Sequence, residues 1–243
     1  MTDALIALRA SLAEQLAALR GTAPDALPPE LLDVTVRRIE LPEPAAPLFL
    51  LHPADWEALR HEEGGAGRPI PYWARPWPSG LALAEAVALE PPRPGSRVLE
   101  LGCGLAAPSI VAARAGADVL ATDGATDAVA YAAHALALNE ADATVAHADW
   151  TEHGDALADR GPWDLVLAAD VLYTRANVRA LMRLAPRLVA PGGQLRLADP
   201  RRAGARDFLA AARASFHLWT QRRDGPVALH VLRHRAIIGR TAT

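Results

Sequence analysis

From residue 97 onward the chain alternates between short apolar runs and longer stretches with helical spacing, and this alternation limits the fold more than any other feature. Apolar runs lie near 97–102, 118–123, 144–149, 163–170 and 193–199, and the segments 105–115, 125–139 and 177–190 between them carry helical periodicity. A repeated strand, helix, strand succession needs right-handed crossovers, so it builds a parallel sheet with helices on both faces. A helix near 204–215 and two strand candidates at 217–222 and 227–235 follow. The last two are close enough for a hairpin, which makes the final strand antiparallel. The expected fold class is α/β, with a seven-stranded, mostly parallel sheet.

The first 70 residues follow a different pattern. Leu5, Leu8, Leu12, Leu16 and Leu19 recur at three- and four-residue steps before Gly21, which predicts an amphipathic helix over 4–20. Pro24, Pro28 and Pro29 make 21–30 read as a linker, and 34–39 and 47–52 read as short strands. Residues 1–70 are therefore expected to form an extension packed on a main domain of residues 71–243.

The first strand of the main domain, Val98-Leu99-Glu100-Leu101, runs directly into Gly102-Cys103-Gly104. Glycines there permit a tight turn, and the helix that opens before Ile110 aims its first amides at whatever lies above them. In an open α/β sheet, ligands bind outside the carboxyl ends of the strands. The second such end carries Asp123, about 20 residues past the glycines, where ribose hydroxyls are bound in nucleotide sites. The third carries Asp149 and Trp150, and the fourth Ala169, Asp170 and Tyr173. Any one of these acids alone reads equally well as a helix cap. Four strand ends with polar residues in register favour a binding site.

A nicotinamide-dependent dehydrogenase also fits Gly102, Gly104 and Ala107. Glu100 argues against it, because a carboxylate beside the turn repels a pyrophosphate and attracts a cationic sulfonium ligand with a free amino group. No acid/base catalyst of a dehydrogenase stands out downstream.

All 25 basic residues are arginine, against 28 acids, for a net charge of −3. That balance argues against a general nucleic-acid binder. From Arg196 onward ten arginines face three aspartates, a basic stretch that suits either an acidic partner or a solvated surface. Cys103 is the single cysteine, so no internal disulfide forms and a cytoplasmic location is expected. A small residue tolerated in the turn is a better reading of it than a catalytic thiol. No run of about 18 apolar residues predicts a membrane span, and residues 1–20 do not read as a secretory signal. No metal site is expected: His230 and His234 would stand about 13 Å apart on a strand, too far for one ion.

Glu100–Gly104, Asp123 and Asp149 resemble the motifs of the seven-β-strand S-adenosylmethionine-dependent methyltransferases, a Rossmann-like family. Pro71-Tyr72-Trp73-Ala74-Arg75-Pro76-Trp77-Pro78-Ser79-Gly80, Asp170-Val171-Leu172-Tyr173 and Ala198-Asp199-Pro200-Arg201-Arg202 resemble its lysine-methylating branch, whose member modifies the electron transfer flavoprotein β subunit. Ala106 departs from the pattern, standing where many relatives have a third glycine. The resemblance implies S-adenosylmethionine as cofactor, with Glu100 at its methionine end, Asp123 at the ribose and Asp149 with Trp150 at the adenine. Trp77, Gly102, Gly104 and Ala169 would line the same pocket. Asp170 and Tyr173 would stand beside the transferable methyl as catalytic residues, with Trp73 and Arg201 on the substrate side. Trp73 and Trp77 read alternatively as core aromatics. The implied partner is a protein substrate, and the rival readings are a small-molecule or nucleic-acid methyltransferase and a cofactor-binding module without catalysis.

Overall fold

The computed structural model describes residues 3–222 and 225–235. Its first helix, α1 (Asp3–Arg20), carries Asp3 in its first turn and Arg20 in its last, the arrangement the helix dipole favours, and buries Leu12, Leu16 and Ala17. The proline-rich stretch that follows is not a bare linker: it holds a turn at Pro24–Ala26 and a short helix, α2 (Pro29–Leu32). Strands β1 (Val34–Ile39) and β2 (Leu48–Pro53) pair antiparallel as a separate two-stranded sheet. Helix α3 (Trp56–Gly65) comes next, capped by the Asp55 carboxylate, which accepts from the Ala58 N–H at 3.0 Å. After a turn at Tyr72–Ala74, α4 (Pro78–Leu89) opens on a proline.

The main sheet then builds as the alternation predicts: β3 (Arg97–Leu101), α5 (Ala107–Arg114), β4 (Asp118–Asp123), α6 (Thr126–Leu138), β5 (Thr144–His147), α7 (Trp150–Asp159), β6 (Trp163–Ala169), α8 (Arg175–Leu188), β7 (Val189–Asp199), α9 (Ala203–Ala212), β8 (Phe216–Arg222) and β9 (Ala228–His234). The strand order is β5-β4-β3-β6-β7-β9-β8, and β9 is antiparallel to both its neighbours. The expected seven-stranded α/β sheet is thus present, with the final strand inserted beside β7. Helix α7 has no counterpart in the sequence expectation. It contains Gly154, which weakens its helical signal, and the structure shows why glycine stands there: a Cβ would lie 2.2 Å from Leu184 Cδ1 of α8.

Both faces of the sheet are covered, and β6 shows this directly. Its Leu165 and Leu167 join one hydrophobic cluster, while Val166 and Ala168 join the other. The first cluster reaches Leu12, Leu16, Leu31, Leu48, Leu50 and Leu59, so the N-terminal elements share one core with Ile110 and Tyr131. Polar contacts reinforce that seam. The buried Asn139 side chain accepts from Phe49 N at 2.8 Å and donates to Phe49 O at 2.7 Å, and Tyr131 Oη donates to the Leu31 carbonyl.

The chain winds outward from β3 to β4 and β5, then crosses to β6 on the other side. The order therefore reverses between β3 and β6, and a crevice opens at their carboxyl ends.

Candidate active site

The turn after β3 is cramped from two sides. At Gly102 (φ +65°) a Cβ would lie 3.2 Å from Val171 Cγ1, and at Gly104 (φ +51°) it would lie 3.2 Å from the Trp73 carbonyl oxygen. Larger residues would be both strained and crowded. Ala106 enters α5 at φ 58°, a left-handed conformation that glycine adopts more easily. Here the departure from the family pattern leaves the turn intact, at the cost of backbone strain.

Below the turn lies Glu100, 1% exposed. Its Oε2 accepts from both the Ser109 N–H at 3.0 Å and the Ser109 hydroxyl at 2.5 Å. Burial pushes the Glu100 carboxyl up to about 8, with the two Ser109 hydrogen bonds offsetting part of the rise. Asp123 fastens the turn, its Oδ2 accepting from Gly104 N and its Oδ1 from Ala125 N, each at 2.9 Å. Burial raises the Asp123 carboxyl as well, and those backbone amides work against it. Each oxygen keeps a second lone pair for a hydroxyl. Asp149 is a helix cap as well as a candidate ligand: its Oδ1 accepts from Thr151 N at 2.8 Å and Thr151 Oγ1 at 2.6 Å, which starts α7 and sets the buried Trp150 beneath the turn.

These groups surround a cavity of about 720 Å³. That volume suits a nucleoside with an extended side chain. Every residue singled out from the sequence lines it except Arg201, whose guanidinium donates to the Gly225 carbonyl at 3.2 Å. Arg202 lines it instead. Arg201 lies at φ 65°, a local turn of the backbone that sequence does not announce.

The rim is made by the segment 69–77. Trp56 Nε1 donates to Pro71 O at 3.0 Å and Trp77 Nε1 to Tyr72 O at 2.6 Å, so two indoles hold its backbone. Arg75 lies over both rings, 4.9 Å from the Trp77 centroid and 5.5 Å from that of Trp56. Trp73 borders the cavity, but its ring packs on the core residue Tyr131, with centroids 4.8 Å apart. The aromatic that faces Tyr173 is its neighbour Tyr72, with centroids 6.3 Å apart and both rings more than half exposed. Sequence reasoning missed Tyr72, although its place beside Trp73 in the proline-flanked motif was a usable signal.

Asp170 lines the same cavity; it follows β6 at φ 56° and continues the ladder by donating its N–H to Ala198 O at 2.8 Å. Its Oδ1 accepts from Arg202 Nε at 2.5 Å. Arg202 N in turn donates to Asp199 Oδ1 at 2.6 Å.

The family description of a methyltransferase domain matches residues 78–237. The chain belongs to the methyltransferase domain family, the class in which S-adenosylmethionine is the methyl donor. Among individual proteins it is 34% identical over 137 residues to the electron transfer flavoprotein beta subunit lysine methyltransferase of Danio rerio, covering 56% of this chain and 52% of that one. It is 32% identical over 168 residues to EEF1A lysine methyltransferase 3 of Mus musculus, covering 67% and 72% respectively. The match to the flavoprotein methyltransferase spans about half of that relative's length. A T. Thermophilus 16S rRNA methyltransferase shares the fold with a TM-score of 0.62 at 19% identity, over 83% of this chain and 51% of that one.

Proposed function

We propose that the protein uses S-adenosylmethionine to methylate a lysine side chain of a protein substrate. The observation that carries the reading is that one nucleoside-sized cavity is lined by the Asp170 carboxylate and by the paired, exposed rings of Tyr72 and Tyr173. An anion and aromatic rings in the lining of one cavity suit an alkylammonium better than a neutral base or a hydroxyl. The similarity to two lysine methyltransferases supports the same choice.

When bound, the cofactor supplies a methyl group on a sulfonium. Glu100 would receive its ammonium, Asp123 the ribose hydroxyls, and Asp149 with Trp150 the adenine. The protein's remaining task is to align the acceptor nitrogen and remove its proton. A free lysine titrates near 10.4, so about one molecule in a thousand is neutral at physiological pH. Entry between Tyr72 and Tyr173, out of water and toward a second positive charge, lowers that value. Asp170 holds the nitrogen in place, and its conjugate proton leaves to solvent through the open mouth.

The electron transfer flavoprotein β subunit is the first substrate to test. Purified protein is incubated with it and with a cell extract in the presence of radiolabelled S-adenosylmethionine, and labelled residues are mapped by mass spectrometry. Label on a protein lysine is expected, with Asp170→Asn lowering turnover by about 10²-fold or more while S-adenosylhomocysteine affinity is kept. Label confined to RNA or small molecules would overturn the reading.

A further inference from the structure

The acid at the mouth already holds a cation. Arg202 reaches Asp170 through Nε alone, at 2.5 Å, with the Asp170 side chain 13% exposed and that of Arg202 40% exposed. The backbone of the arginine is fixed from behind. Its N–H is held by Asp199 Oδ1, and Asp199 is wholly buried at the end of β7, its Oδ2 without a hydrogen-bond partner. The Arg202 side chain makes no capping bond to α9, so its guanidinium is free of a helix-starting role. The position thus has an anchored backbone and a side chain that can leave.

We propose that Arg202 is a built-in competitor for the acceptor amine: its guanidinium occupies the Asp170 carboxylate until the ammonium of a target lysine takes its place. The proposal rests on the lysine-methylating reading. An ammonium seated on Asp170 Oδ1 takes the lone pair that Arg202 Nε–H uses and brings a second positive charge beside the guanidinium, which favours displacement of the one arginine contact. A single Nε contact is also a weaker hold than the two-pronged fork that guanidinium makes with carboxylates elsewhere, so it is replaceable. Tyr72 and Tyr173 offer π faces that an arriving ammonium can occupy before the exchange. Arg202 therefore turns away small free amines, which bring no other binding energy. It admits a lysine that a docked protein presents. After the exchange its charge remains near the acceptor nitrogen and favours the neutral amine.

The chain has three tyrosines, Tyr72, Tyr131 and Tyr173, so ring-labelled tyrosine gives two reporters at the mouth and one reference in the core. The probe is n-butylammonium, titrated by NMR into protein saturated with S-adenosylhomocysteine. Tyr72 and Tyr173 should shift and Tyr131 should not. Arg202→Gln should bind the probe roughly fivefold more tightly, the worth of about one part-exposed ion pair, with S-adenosylhomocysteine affinity unchanged. The double variant with Asp170→Asn should lose that gain. In the unaltered protein the Arg202 Nε–H signal, recorded at low temperature and low pH, should disappear as the mouth fills. Equal probe affinity with and without Arg202, or an Nε–H signal that survives saturation, overturns the proposal and leaves lysine methylation standing. No shift at Tyr72 or Tyr173 in any form overturns both.

Discussion

Glu100 shows how much one residue can carry. Its place before two glycines was legible in the sequence, and its carboxylate was the ground for expecting a cationic ligand. Its titration was not, because that depends on complete burial and on two hydrogen bonds from Ser109, nine residues away. With the folded carboxyl at about 8 and the unfolded one near its ordinary value of 4.5, the folded protein holds a proton that the unfolded chain has lost. The stability this gives is full below the unfolded value and fades as pH rises toward 8. A ligand ammonium reverses the balance by favouring the ionised form. Affinity for S-adenosylhomocysteine is therefore expected to rise between pH 6 and 8, by up to about tenfold per unit at its steepest. Calorimetry on Glu100→Gln should give a flat and weaker profile. An unaltered protein whose affinity ignores pH would remove Glu100 from the methionine end. At the mouth the sequence was less informative: Trp73 borders the cavity with its ring packed on Tyr131 while the unchosen Tyr72 meets Tyr173, and Arg202 lines the cavity in place of Arg201.

At the scale of elements, strands were readable even when short, whereas helices α3, α4 and α7 had no counterpart in the sequence reading. The alternating strands of the sheet follow from apolar runs that both faces bury. Helices α3 and α7 did not, since each is ten residues long and glycine interrupts α7 or ends α3. What joins the N-terminal elements to the sheet was also invisible, because it is a set of charges far apart in sequence. Arg20 at the end of α1 donates to Asp127 of α6 at 2.9 Å and to Glu63 of α3 at 3.0 Å, and Glu63 also receives Arg68. Burial would raise the Glu63 carboxyl, but the hydrogen bonds from Arg68 and Arg20 prevail and hold it below its ordinary value. The contribution of Glu63 is thus present above the unfolded carboxylate range and is lost as pH falls through the lowered value. Arg20→Met should cost about 2–4 kcal/mol at pH 7, since it strands the largely buried Asp127 carboxylate and leaves Glu63 to Arg68 alone, and should cost less near pH 4. Urea unfolding at both pH values measures this, and a loss that does not depend on pH would show the effect to be packing alone.

For the whole molecule, composition set firm limits and left the partner open. Three arginines of the basic stretch are engaged locally: Arg196 is buried against the Glu90 and Ala86 carbonyls, Arg201 donates to the Gly225 carbonyl and Arg202 lines the cavity. Arg223 and Arg240 of that stretch lie outside the described residues. The absence of lysine acquires a meaning once a basic side chain is seen resting on Asp170. A lysine at position 202 would be a tethered acceptor inside its own active site. Guanidinium stays protonated and is a poor nucleophile there. Arg202→Lys should therefore label its own chain when given S-adenosylmethionine, visible as an added methyl mass on the intact protein, whereas the natural chain has no lysine to mark. A variant that stays unlabelled would place residue 202 out of reach of the methyl group. If the proposed lysine acceptor is right, a chain whose 25 Lys and Arg positions are all arginine offers its own enzyme no lysine side chain to methylate.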